Sequence, residues 1–226
     1  MVGPRNYQNW INMFRPTPLG SQPPLASVIF FICMVAVNFV EAQTGEDGLT
    51  SRSFWKSQPS LEDIMTQVNL GDDPSALDPY DFDPLSWALI EEASPEILDY
   101  LLSFEGNEVN KLTHDARTYV FWAAYRNNQA FMEKLKSMGA DFRIVDEHGY
   151  SLLNFAAVTE QTDAVLYDLI INEGAKPDQE VNYDGANALL LVSSHLEDMA
   201  LVEYFGQFGL EMNDTDSDGS NGFLYA

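Results

Sequence analysis

The stretch Asp146-Glu147-His148-Gly149-Tyr150-Ser151-Leu152-Leu153-Asn154-Phe155-Ala156-Ala157 decides how the rest of this chain is read. It opens on polar residues closed by Gly149, a combination that predicts a tight turn, because glycine enters the left-handed backbone region without steric cost. An apolar run follows, and Leu152 to Val158 is predicted to be a short helix. Thr162 to Asn172 is predicted to be a second one. In it Ala164, Val165, Tyr167, Leu169, Ile170 and Ile171 place apolar side chains on more than one side. Such a helix must be covered by neighbours. Gly174 then ends the unit, as a left-handed glycine ends many helices.

The same order recurs on both sides. The apolar anchor that opens the first helix stands at Leu85, Val120, Leu153, Leu189 and Phe223, a period of 33 to 36 residues. A second marker, the terminal glycine, stands at Gly71, Gly106, Gly139, Gly174 and Gly209, a period of 33 to 35. Two unrelated markers in one phase establish an internal repeat. The segments Asn182-Tyr183-Asp184-Gly185 and Asp216-Ser217-Asp218-Gly219 supply further turns, since Asp-Gly favours tight turns. No unit of turn, helix, helix and glycine can bury its apolar faces alone, so the units must stack.

At this point the sequence resembles the ankyrin repeat, a unit of about 33 residues built from a β-turn and two helices with a T-P-L-H-x-A signature. Residues 146–157 and the terminators Met138-Gly139-Ala140-Asp141 and Gly174-Ala175 carry the resemblance, which extends from about residue 53 to Ala226. Tyr119, Leu152, Ala188 and Gly222 stand in place of the signature proline, which only Pro84 keeps. The signature histidine is replaced throughout, by Ser86, Phe121, Asn154, Leu190 and Leu224. The resemblance implies an all-α solenoid of helix-turn-helix units joined by β-turn fingers. Its divisions are expected at 43–78 for a linker and capping unit, then 79–113, 114–145, 146–181 and 182–215 for four repeats, and 216–226 for the start of a fifth. A chain that stops inside that unit's first helix reads as a fragment or a truncated gene. In the capping unit Ser60 is expected to cap a helix whose apolar stripe is Leu61, Ile64, Met65 and Val68.

Residues 1–42 are expected to be a signal peptide. Leu25 to Val40 is an uncharged run of sixteen residues, preceded by Arg5 and Arg15 and followed by Val40-Glu41-Ala42. The run is short for a bilayer span, which takes about 20 residues; an uncleaved anchor is the alternative. The only cysteine, Cys33, lies in this run, so the mature chain would hold no disulfide. A leader, an aromatic capping segment and divergent repeats resemble the exported ankyrin proteins of Gram-negative bacteria, periplasmic or extracellular.

Composition narrows the function. The 35 acidic and 11 basic residues give a net charge of −24, and 46% hydrophobic residues suffice for a folded core. Nucleic-acid affinity comes largely from Lys and Arg displacing counterions, so that class is excluded, and no membrane contact is expected beyond the leader. No nucleophile elbow, zinc-protease motif or phosphate loop occurs, so no enzyme is expected, and no cofactor.

The resemblance implies a protein partner held by turn tips and first helices. Mapped onto this chain, that face is His114, Asp115, Arg117, Tyr125, Arg126, Glu147, His148, Tyr150, Thr159, Tyr183, Asp184 and His195, with Val158 and Ser194 beside them. Units packed about 8–10 Å apart should keep His114 and His148 from sharing a metal. Asp214-Thr215-Asp216-Ser217-Asp218-Gly219 opens like a calcium loop, yet its twelfth position is Tyr225 where a bidentate Glu is needed. Phe54, Trp55, Trp87, Trp122, Phe155 and Tyr225 follow the repeat and are expected in the core. A calcium-stabilised acidic module, or the binding part of a longer enzyme, are the other functions compatible with these residues.

Overall fold

The computed structural model describes residues 48–226. The expected signal peptide lies outside the described residues.

Two helices precede the repeats: α1 (Arg52–Lys56) and α2 (Leu61–Leu70). Then come helix pairs: α3 (Pro84–Ile90) with α4 (Pro95–Leu102), α5 (Tyr119–Tyr125) with α6 (Gln129–Ser137), α7 (Leu152–Val158) with α8 (Ala164–Asn172), and α9 (Ala188–Val192) with α10 (Ala200–Gly206). A last first-helix, α11 (Gly222–Tyr225), follows. No paired strands occur among the described residues, only isolated bridges such as Thr113 to Arg117 and Val145 to Ser151. The fold is the expected helical solenoid.

Local chemistry sets the boundaries. Four of the five first helices start behind a polar cap: Asp83, Ser151, Asn187 and Asn221 accept a hydrogen bond from a backbone N–H of the first turn, whereas Thr118 before α5 does not. Such caps satisfy donors that the helix itself leaves unpaired. The capping helix α2 begins with a reciprocal box between Ser60 and Asp63. All five terminal glycines have positive φ, between 88° and 110°. Helix α7 has the expected bounds, whereas α8 begins at Ala164 because Asp163 caps it.

The first helices form an inner row packed helix against helix. Leu85, Val120, Leu153 and Leu189 are fully buried there, as are Trp122 and Phe155, while Trp87 is 4% exposed. Fully burying one such aliphatic side chain contributes about 1.5–3 kcal/mol, so each interface between units is a substantial fraction of the whole stability. Phe54 and Tyr225 are only half-buried, since each lies toward an end of the row. In α2 the expected stripe narrows to Ile64; Met65 is 43% exposed and departs from it, because α2 has a neighbour on one side only.

Candidate functional site

Five fingers project from one edge of the solenoid: residues 78–82, 113–117, 146–150, 182–186 and 216–220. In each, the backbone N–H of the first residue donates to the carbonyl of the fifth, at 2.7–3.0 Å. The first side chain locks the loop. Asp146 Oδ1 accepts from the N–H groups of His148 (2.9 Å) and Tyr150 (2.8 Å), and Asp78, Asn182 and Asp216 repeat this pattern. Thr113 does the equivalent by donating its hydroxyl to the Arg117 carbonyl at 2.6 Å.

The fourth residue of each finger has positive φ: Asp81 (63°), Ala116 (58°), Gly149 (80°), Gly185 (79°) and Gly219 (83°). Three of these are the glycines that marked the turns in sequence. The fingers at 78–82 and 113–117 lack the glycine and show only in the repeat phase. Neighbouring fingers touch: Glu147 N–H donates to the Asp115 carbonyl at 3.0 Å, and Ser217 N–H to that of Asp184 at 2.8 Å. The Tyr183 ring lies over Gly149, where an added Cβ would come within 2.6 Å of it.

The expected site residues divide into two groups. Glu147, Tyr183 (76% exposed) and Asp184 stand exposed on the tips, and His148 and His195 are half-exposed. Tyr125 and Arg126 are half-buried; the Arg126 guanidinium lies 4.7 Å from the Tyr125 ring centre, and its Nε donates to the Ile90 carbonyl at 2.6 Å. Burial pushes the Tyr125 hydroxyl above its ordinary pKa. Arg117, Tyr150 and Thr159 depart from the expectation: they are 2%, 4% and 8% exposed. Thr159 turns its hydroxyl back onto the Phe155 carbonyl, Tyr150 meets Asn182 Nδ2 at 3.2 Å, and Arg117 is drawn inward by Asp146. Each is a core residue of its unit, satisfied by partners inside the solenoid. Tyr80, 68% exposed on the tip of finger 78–82, stands beside these residues and is not among the expected ones. Counting one period back from finger 113–117 would have found it.

One cluster joins three fingers. Asp115 Oδ2 lies 3.3 Å from His114 Nε2, 3.1 Å from Arg117 Nη1 and 3.0 Å from His148 Nε2. His114 Nδ1 reaches the Tyr80 carbonyl at 2.7 Å, and its ring stacks on Phe82 with centroids 4.3 Å apart. The spacing of packed helices was expected to keep the two histidines from sharing a metal. Fingertips are in direct contact, so they meet on one carboxylate. Among the described residues no three His, Cys, Asp or Glu side chains are arranged to hold a metal ion. In the calcium-like stretch, Asp216 Oδ1 binds its own finger's N–H groups and Oδ2 accepts from the Tyr225 hydroxyl at 2.8 Å.

Behind the face, buried hydroxyls give the molecule an alkaline limit. Burial, then the neighbouring Asp83 carboxylate, raises the Tyr119 hydroxyl pKa far above normal, and burial does the same to Tyr167. Tyrosine in an unfolded chain ionises near about pH 10. The folded state therefore keeps protons that the unfolded state releases, and its stability falls as pH rises above that value. Thermal melts should show little change attributable to these groups below about pH 10 and a steep loss above it. A Tyr119→Phe variant should show a shallower loss; an unchanged slope would contradict the assignment.

The comparisons with known proteins agree with this geometry. Residues 85–180 match the family model described as ankyrin repeats (3 copies). No curated protein matches. Among solved structures, a chain of the "Bd0816 Predatory Endopeptidase from Bdellovibrio bacteriovorus in complex with immunity protein Bd3460" is similar at 19% identity, with a TM-score of 0.61. The match covers 79% of this chain and 91% of that one, and at this identity it is a likeness of fold. With the family match, the phase of helices and glycines, and the stacked fingers all in agreement, residues 85–180 of this chain are ankyrin repeats.

Proposed function

We propose that the chain is a non-catalytic, exported binding protein that holds a protein partner on its finger face. The observation that carries this reading is the row of fingertips, in which locked backbones hold out exposed contact residues. Tyr80 and Tyr183 offer large rings, and Asp81, Glu147, Asp184 and Asp218 place an exposed carboxylate on four of the five fingers. Rigid tyrosines are common energetic anchors at interfaces. The carboxylates suit a partner whose contact surface is rich in Lys and Arg, with association that weakens as salt rises. The similar solved chain lies in a protein–protein complex, which supports a partner of the same class. Export rests on the apolar run Leu25–Val40 and the Val40-Glu41-Ala42 stretch after it.

Alanine at Tyr80, Glu147, Tyr183 and Asp184 together should abolish recovery of the partner while leaving the helical circular dichroism intact. Tyr183→Ala alone should weaken binding by about 2 kcal/mol, roughly thirtyfold, if it is an anchor. Retention of every partner by the fourfold variant would place the interface elsewhere. N-terminal mass spectrometry of the expressed protein tests export separately, with cleavage after Ala42 as the expected result.

A further inference from the structure

We propose that the aliphatic residues one place before the fingers, Leu77, Leu112, Val145 and Val181, form a docking row for a partner segment that carries aliphatic side chains among Lys and Arg. The inference rests on the binding reading above and deepens it, since it names the chemistry of the partner that meets the fingers.

The row follows from register. The first residue of each finger is tied into its loop, and the residue just before it stands outside that closure. Leu77 is 45% exposed there, Leu112 55%, Val145 54% and Val181 53%. A single exposed aliphatic is ordinary on any protein surface. Four at one register position are not, because the fold does not require an apolar side chain there: Thr215 holds the same place before finger 216–220 and is exposed as well. The four fingers touch in sequence. His114 Nδ1 lies 2.7 Å from the Tyr80 carbonyl, Glu147 N–H donates to the Asp115 carbonyl, and the Tyr183 ring lies over Gly149. Equivalent positions therefore stand one unit apart, about 8–10 Å, and four of them make a row about 24–30 Å long.

Charge selects the occupant. A few places further along, the same fingers expose the carboxylates of Asp81, Glu147 and Asp184, on a chain whose net charge is −24. The basic residues closest to the row in sequence do not offset them. Lys111 faces the buried Asp83 at 2.7 Å, and Arg143 lies 3.2 Å from Asp141. A second copy of this chain, or an anionic lipid surface, would set like charges against each other, which opposes association. A protein segment with Lys or Arg beside Leu, Ile or Val suits both features at once. Its aliphatic side chains leave water against the row, and its cations meet the fingertip carboxylates.

The test uses the whole protein and a synthetic peptide of Leu and Lys in equal number, about 20 residues long, which spans the row even as a helix rising about 1.5 Å per residue. Two controls have the same length, one with Ser at every Leu and one with Glu at every Lys. Calorimetric titration should show the Leu/Lys peptide binding about tenfold or more tightly than the Ser/Lys peptide, and no binding of the Leu/Glu peptide. In a variant carrying Leu112→Ser, Val145→Ser and Val181→Ser, that ratio should fall to near unity with helical circular dichroism intact, since all three side chains are exposed. Equal binding of the Leu/Lys and Ser/Lys peptides to the wild-type protein, or binding of neither, overturns the row without recourse to the variant. So does a ratio that the folded variant retains, or a Leu/Glu peptide that binds as well as the Leu/Lys one. The fourfold fingertip variant leaves the row untouched and so separates the two readings. If it keeps its partner while the wild-type peptide ratio holds, the fingertip reading fails and the row stands; if it loses its partner while the ratio is near unity, the row fails and the fingertip reading stands.

Discussion

Asp83→Ala should cost about 3–5 kcal/mol of stability, a large part of the 5–15 kcal/mol that holds a typical domain together. Asp83 is completely buried at the start of α3. Its Oδ1 caps the helix, accepting from Ser86 N–H at 2.8 Å and the Ser86 hydroxyl at 2.7 Å. Its Oδ2 accepts the Tyr119 hydroxyl at 2.6 Å and faces Lys111 Nζ at 2.7 Å. Asn107 completes the group: its Oδ1 takes the Tyr119 hydroxyl at 3.0 Å and Lys111 Nζ at 3.1 Å, and its Nδ2 donates to the carbonyls of Pro74 and Leu101. The network thus ties the first repeat, the loop before it and the second repeat.

Alanine would leave a mostly buried ammonium and a buried hydroxyl without their partner, and a helix without its cap. Removing one member of a buried pair costs far more than the pair contributes, because the remaining charge stays desolvated. Asp83→Asn keeps the cap and should lose roughly half as much. Urea midpoints measure both. A loss below about 1 kcal/mol for the alanine variant would mean that Lys111 swings out to water at little cost.

Arg117→Ala should be almost as damaging, again about 3–5 kcal/mol. The side chain is buried, with Nε 2.8 Å and Nη2 2.6 Å from Asp146 Oδ2. Its guanidinium lies 4.6 Å from the centre of the Phe155 ring and 5.5 Å from that of Trp122. Losing it strands the Asp146 carboxylate, whose side chain has no exposure, and removes a cation from two aromatic faces. Arg117→Lys should recover only part of the loss, since an ammonium cannot stack flat and bond as a fork at once. Urea unfolding of the two variants checks both claims; a lysine variant as stable as wild type would show that charge alone matters there. Partner binding should fall in Arg117→Ala too, but together with stability, which separates it from Tyr183→Ala.

The two residues show where sequence reading succeeds and where it stops. Asp83 stands before Pro84 and an apolar run, and its place as a cap is local information. Lys111 and Tyr119 as its partners are not, for nothing in the spacing points their side chains at one carboxylate. Arg117 sits in a turn and reads as an exposed contact residue. Asp146, 29 positions later, pulls it into the interior. Tyr80 shows the opposite error, an exposed fingertip hidden inside an acidic stretch because Asp81 holds the left-handed position that later fingers give to glycine.

By itself the sequence determined the unit, its length, its stops and the cap at Ser60. Each of these depends on residues a few positions apart: a polar cap before a helix, a glycine where φ must turn positive, apolar side chains on too many faces to stand alone. Which side chains stand exposed on the fingers, which are drawn inside, and that His114 and His148 converge on Asp115, only the tertiary structure decided. Those outcomes depend on groups about one repeat apart in the chain that are brought within about 3 Å by stacking, and burial and charge pairing at that range leave no periodic trace for a sequence to display.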